Sequence, residues 1–346
     1  VRVSIALLFL IACGAPPPAV TPTQAVVADG EQQIRDLGTC DLESGEKVQD
    51  CKIGFRTFGK LDAARANVVL FPTWFTGTTK PLVDLVPQKL VDTSRFHLIL
   101  VDALADGVST APSNSTKQAR LRFPKITIRD MVVSQRKLLD SLGIKRLHAV
   151  MGISMGGMQA LEWGVTRPDD VARVVSIVGT PQLTSQDMLL WNAELHALEN
   201  DVAYKNGEYE GRPQMRAVQD IHWLNLTTPA HRANETSREA FPKWLAEKEA
   251  DVAFDWNDWR RQLEAMLVHD VAHGGALEDA AKRVKAKMLV VVADQDHMVN
   301  PGPAKRFAQA ANAKLVTFDT PCGHFAPGCE SAKLGEAVKA FLAENP

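Results

Sequence analysis

The run Val150-Met-Gly-Ile-Ser-Met-Gly-Gly-Met-Gln-Ala-Leu-Glu-Trp163 constrains this chain more than any other stretch. It contains Gly-x-Ser-x-Gly centred on Ser154, the pattern of a sharp strand-to-helix turn that lifts a serine above the edge of a sheet. The glycines have a steric job, because so tight a turn brings backbones where a Cβ would collide. The five-residue pattern alone carries little weight, but its surroundings agree with it. Arg146 to Met151 reads as a buried strand before the turn. Met155 to Thr166 reads as a helix after it, stopped by Arg167-Pro168. Ser154 is therefore a candidate nucleophile; the bland alternative is a small residue in an ordinary βα turn.

The rest of the chain supplies a frame for such a turn. Residues 34 to 60 read as two antiparallel strands. Ala66 to Pro72 and Phe96 to Asp102 are short continuous apolar runs, as expected of strands covered on both faces. Ile128 to Leu142 has apolar residues at helical spacing and ends at Gly143, a natural C-cap. A strand at 171–178, another at Lys287–Ala293, a helix near 303–311, a strand at 314–318 and a helix from Ser331 follow. This alternation predicts a mostly parallel sheet with helices on both faces. Between 184 and 283 the rhythm breaks into helical pattern, with five of the seven tryptophans (Trp191, Trp223, Trp244, Trp256, Trp259). That stretch is expected to be a helical cap over the serine, inserted into a core of residues 31–183 and 284–346. For most of its tryptophans, packing inside the cap is the plainer expectation.

The nucleophile run closely resembles the corresponding segment of the homoserine O-acetyltransferase family, and a looser resemblance extends from about residue 45 to the C-terminus. It implies an α/β-hydrolase fold and acyl transfer through an acyl-serine, with no metal or cofactor. An alcohol needs a base, and the base needs a carboxylate to fix its tautomer and stabilise its charged form. In this fold they come in the order serine, acid, histidine. Asp296, by resemblance to the family's strand-x-x-Asp-x-x-x-x-Pro spacing, is the candidate acid, with Asp294 as runner-up. His324, after the next strand, is the candidate base. Oxyanion donors are expected from the backbone of Met155, directly after the serine, and from the loop Pro72–Gly77. Matching Thr76-Gly77 to the family's Thr-Gly assigns the second donor to Phe75, with Trp74 next in line; the family usually has His where Thr73 stands.

Other histidines read as structural. His148 falls within a strand, and His297 precedes the last strand. His269 and His273 have the spacing of two ligands on a helix, but Asp270 stands where a zinc protease carries Glu and Gly274-Gly275 ends any helix.

The N-terminus carries an apolar run, Val3 to Ala12, behind Arg2. It suits a signal peptide over residues 1–12. Leu10-Ile-Ala-Cys13-Gly resembles a bacterial lipoprotein cleavage box, which makes Cys13 the expected lipidation site and anchors the protein to a membrane of the cell envelope. Residues 13–30 then form a Pro-rich tether. Four of the five cysteines remain, an even number in an oxidising compartment. Three connectivities exist, and proximity favours Cys40 with Cys51 and Cys322 with Cys329.

With 45% hydrophobic and 23% charged residues and a net charge of −2, nothing points to nucleic acid. The substrate expected is a small acyl ester or thioester. Two departures argue against homoserine as acceptor: Phe325 stands where the family's acetyltransferases carry an Asp for the substrate amino group, and the family's pocket arginine has no evident counterpart near Thr227-Thr228-Pro229. Acetyl-CoA is also not expected in the envelope. The reading is an ester-type hydrolase, or an acyltransferase with another acceptor. Authentic homoserine acetyl transfer and a catalytically silent binding protein are the alternatives, and the oligomeric state stays open, a homodimer included.

Overall fold

The computed structural model describes Val1 and residues 28–344; Cys13, the signal-like run and nearly all of the tether lie outside the described residues. Ten strands are present among them: β1 (Gln33–Asp36), β2 (Cys40–Asp41), β3 (Lys47–Val48), β4 (Lys52–Phe58), β5 (Val68–Pro72), β6 (His97–Val101), β7 (Ala149–Ile153), β8 (Arg173–Ile177), β9 (Lys287–Ala293) and β10 (Lys314–Phe318). Eight form one sheet in the order β1-β4-β6-β5-β7-β8-β9-β10. β1 and β4 pair antiparallel, as does β4 with β6, and all pairs from β6 to β10 are parallel.

Alternation along the central strands explains their uninterrupted apolar sequence. Val68 and Leu70 of β5 pack into one core, and Val69 and Phe71 into the other. Val150 and Met151 of β7, and Val174 and Val175 of β8, divide in the same way. Each strand thus buries both faces, which requires helices on both. The helix Ile128–Ser141 is fixed at its start by a capping box between Thr127 and Asp130.

Two details differ from the sequence pattern. The strand before the serine starts at Ala149 instead of Arg146, because Leu147 makes only an isolated bridge to Val171 before regular pairing begins. Between β1 and β4 lies a second, two-stranded hairpin of β2 and β3, tied at its base by a Cys40–Cys51 disulfide. Between β8 and β9 the chain carries six α-helices and a short 3₁₀ helix (Lys205–Gly207), the longest being Ser185–Asn200, Arg216–Leu226 and Trp256–Leu267. Thr228 of this stretch meets the loop after β10, where its Oγ1 donates to the Pro321 carbonyl at 2.6 Å.

Candidate active site

Ser154 sits between β7 and the helix Met155–Thr166 with φ 56° and ψ −122°. That backbone is strained for a residue with a Cβ, a cost of about 1–3 kcal/mol that only a well-determined surrounding structure sustains. The surroundings are close indeed. A Cβ on Gly152 would stand 2.4 Å from the Gly156 carbonyl, and one on Gly156 would stand 2.6 Å from the Pro72 carbonyl oxygen. The Ser154 N–H is held by the Ile177 carbonyl of β8 at 2.8 Å.

His324 lies in the loop after β10, and its Nε2 is 2.8 Å from Ser154 Oγ. Its Nδ1–H donates to Asp296 Oδ2 at 2.7 Å. Asp296 follows β9, and its other oxygen accepts the N–H groups of Met298 and Val299, each at 2.9 Å. Both carboxylate oxygens are therefore engaged, and the side chain is buried. Asp294, the runner-up acid, faces solvent and pairs with Lys305. Cys322 and Cys329 are joined across the histidine, closing a loop with a sequence separation of 7.

Candidate N–H donors for an oxyanion stand at two points. Met155 opens its helix, where an N–H has no intrahelical acceptor. In the facing loop, Thr73 N–H donates to Val101, Thr76 N–H to Gln262 Oε1 and Gly77 N–H to Trp74. Among the described residues that leaves the N–H groups of Trp74 and Phe75 without an acceptor. Thr73 itself is buried, and its Oγ1 accepts from Ala103 N–H at 3.1 Å, fastening the loop to the end of β6.

A buried relay, absent from the sequence reading, joins these two donor sites. Gln159 Nε2 donates to the Thr73 carbonyl at 3.0 Å and to the Met155 carbonyl at 3.2 Å. Its Oε1 accepts from Gln135 Nε2 at 2.6 Å, and Gln135 Oε1 accepts from Trp163 Nε1 at 2.7 Å. Gln159 and Trp163 are four apart on a largely apolar helix, a spacing that puts them on one face. That pairing of polar groups was the available signal.

His148, His269, His273 and His297 lie away from Ser154. His148 Nε2 meets the Leu342 carbonyl at 3.0 Å, and His297 is exposed. His269 is buried against the Thr180 carbonyl, and burial pushes it down to about 4. It stands beyond the end of the helix Trp256–Leu267, so His269 and His273 do not share a helix face. Among the described residues no group of three or more His, Cys, Asp or Glu could hold a metal ion.

The serine opens into a cavity of about 1080 Å³. Ser154 and His324 line it together with Phe75 and four of the five tryptophans named above, all but Trp244. Trp191, Trp256 and Trp259 are nevertheless buried, so packing and lining coincide in them.

Fold and geometry together define an α/β hydrolase, and residues 67–328 match the family model for the alpha/beta hydrolase fold. The homoserine O-acetyltransferase of Geotalea daltonii is 34% identical over 344 aligned residues, covering 87% of this chain and 94% of that protein. The chain therefore belongs to the homoserine O-acetyltransferase-like family of α/β hydrolases. Among solved structures it resembles an acetylester hydrolase from Corynebacterium glutamicum, with 25% identity, a TM-score of 0.84 and coverage of 91% of this chain and 97% of that one. It also resembles the acetyl esterase MekB, with 26% identity, a TM-score of 0.83 and coverage of 91% and 96%.

Proposed function

We propose that this protein is a serine esterase that transfers a short acyl group from an ester to water. The observation that carries the reading is the continuous path from Ser154 Oγ through His324 to Asp296, with spacings of 2.8 and 2.7 Å, at the wall of a cavity. Ser154 Oγ attacks the ester carbonyl while His324 Nε2 takes its proton. The N–H groups of Met155 and Phe75 hold the oxyanion, where fixed donors matter most. The proton passes to the departing alcohol, leaving an acyl-serine. Water then attacks that ester, His324 takes the water proton and returns it to Ser154, and the carboxylic acid leaves. Asp296 keeps the Nε2 lone pair facing the serine and balances the imidazolium.

Water is preferred over homoserine as acceptor for chemical reasons. A zwitterionic acceptor needs its ammonium paired inside the site. At the position after His324 stands Phe325, whose ring packs against Trp223 with centroids 6.0 Å apart. Arg232, an arginine near Thr227, lies over the Trp244 ring at 4.1 Å and is not among the cavity-lining residues. The same reading places the enzyme in an oxidising envelope compartment, anchored through Cys13, and the two disulfides support that choice.

The test is hydrolysis of a p-nitrophenyl acyl ester series by protein lacking residues 1–29, with and without homoserine, beside Ser154→Ala. Serine-dependent cleavage indifferent to homoserine is expected. Acceleration by homoserine with O-acylhomoserine as product restores the acetyltransferase activity of the relatives, and no turnover, with Ser154 unreactive towards a serine-directed phosphonate, leaves a binding protein.

A further inference from the structure

Inside the same cavity stands a second histidine leaning on a carboxylate. His222, on the helix Arg216–Leu226, lines the cavity wall, and its Nδ1–H donates to Glu194 Oε1 at 3.2 Å. Glu194, on the helix Ser185–Asn200, is fully buried, and its other oxygen, Oε2, has no hydrogen-bond partner. The imidazole packs against Phe75, at 5.8 Å between ring centroids, and Trp259, at 5.0 Å, and those two rings are themselves 4.9 Å apart. Phe75 is the residue assigned above to the oxyanion loop, so this pair borders the reacting centre.

Burying a carboxylate with one oxygen unmatched, among aromatic rings, is unfavourable for folding. A leucine at 194 and a phenylalanine at 222 would pack there without that cost. The pair has a chemical result that an apolar pair lacks. With Nδ1–H committed to Glu194, the imidazole presents Nε2 to the cavity as a hydrogen-bond acceptor. Among the described residues Nε2 has no protein partner. A neighbouring polar side chain, Gln219, already donates to the Asp251 carbonyl at 2.6 Å.

Resting on the esterase reading, the geometry points to His222 and Glu194 as a specificity pair that selects ester substrates carrying a hydroxyl group within the aromatic arm of the cavity. The hydroxyl donates to His222 Nε2. An ether oxygen can only accept, and Nε2 offers it no proton. A carboxylate also only accepts, and it meets the charge of Glu194 behind the ring. Sites that match a substrate hydroxyl discriminate strongly against the analogue lacking it, because the buried polar group is then left unpaired.

Two ester panels test this and tell the acyl side from the alcohol side. The first is p-nitrophenyl butyrate and hexanoate with hydrogen, hydroxyl or methoxy at carbons 3 to 6. The second is acetate esters of butanol and hexanol with the same three substituents along the alcohol, followed by acid release. In one panel a hydroxylated ester is expected to exceed its methoxy analogue in kcat/KM by about tenfold or more. His222→Phe should bring that ratio to within about threefold, and Glu194→Gln should lower it, since the tautomer is no longer fixed. Thermal melting of both variants establishes that they are folded, and a ratio within one variant is insensitive to general loss of activity. Ser154-dependent cleavage of the unsubstituted esters with no hydroxyl preference in either panel overturns the specificity pair and leaves the esterase reading standing. A preference that survives His222→Phe in folded protein also overturns it. No Ser154-dependent cleavage at all overturns the esterase reading, and the pair's assignment with it.

Discussion

His324 and His222 both lean on a buried carboxylate and both face the cavity that holds Ser154, yet their supports are built differently. Asp296 has both oxygens engaged, one by His324 and one by two backbone N–H groups. Glu194 has one oxygen on His222, at 3.2 Å, and nothing on the other. The first pair hangs on loops that leave β9 and β10, so the sheet fixes it. The second bridges two helices of the stretch between β8 and β9. Complete satisfaction immobilises a histidine in one tautomer, which suits proton transfer in the proposed mechanism. Incomplete satisfaction leaves hydrogen-bonding capacity unspent, which suits recognition.

The largest effects should come from the sheet-borne pair. Ser154→Ala and His324→Ala are each expected to lower kcat for p-nitrophenyl esters by about 10⁴- to 10⁶-fold. Asp296→Asn should cost about 10³- to 10⁴-fold, because the amide favours the wrong tautomer. Steady-state kinetics that find Glu194→Gln as damaging to kcat as Asp296→Asn would break the contrast between the pairs.

Next comes the relay beneath the oxyanion loop. Gln159→Leu removes both bonds that tie the Thr73 and Met155 carbonyls together. A fall in kcat of about 10- to 100-fold is expected, with KM changing much less, as for weakened oxyanion donors. A change confined to KM would argue that the relay merely supports the fold.

Smaller again is the contrast between the disulfides. Cys322→Ser should lower kcat about two- to tenfold by loosening the loop that positions His324, the range expected for a small displacement of a positioned group. Cys40→Ser should lower the melting temperature and leave kcat in place, with a loss of about 2–4 kcal/mol of stability. Equal effects of both substitutions on kcat would sink the claim that one bridge serves the base.

His269 provides the mildest test, as a buried histidine with no carboxylate hydrogen-bonded to its ring. Its folded form resists protonation until about pH 4, whereas the unfolded chain takes up the proton near the ordinary value of 6.5. The unfolded state therefore binds more protons between these limits, and stability from this group is lost as pH falls through that window. Melting curves from pH 7 to pH 4 should drop less steeply in His269→Gln, by about 2–5 °C at the acid end. An identical slope would mean that the histidine is already charged in the fold.

Much of this was legible in the sequence. Gly-x-Ser-x-Gly declares its own backbone, and the apolar runs of β5 to β9 declare a sheet covered twice. Asp296 and His324 are readable because each follows a strand in a fixed order, and the structure brings both to Ser154. The separation of Asp296 from Asp294 is only weakly encoded, since it depends on which side chain turns inward after Ala293. The pairing of His222 with Glu194 could not be read at all. Nothing local links two positions on different helices 28 residues apart, and their meeting is decided by how those helices pack. Gln135 and Gln159 are an intermediate case, each a polar residue on an apolar face whose partner lies on another helix.

The Cys322–Cys329 bridge carries a consequence for the lifetime of activity. The position of His324 is stabilised by a bond that external thiols can exchange, without the chain having to unfold. An ester-cleaving activity that depends on that loop would fade at a pace set by its chemical surroundings and recover on reoxidation. The protein's working half-life would then report on the thiol content of its environment as much as on its own thermal endurance.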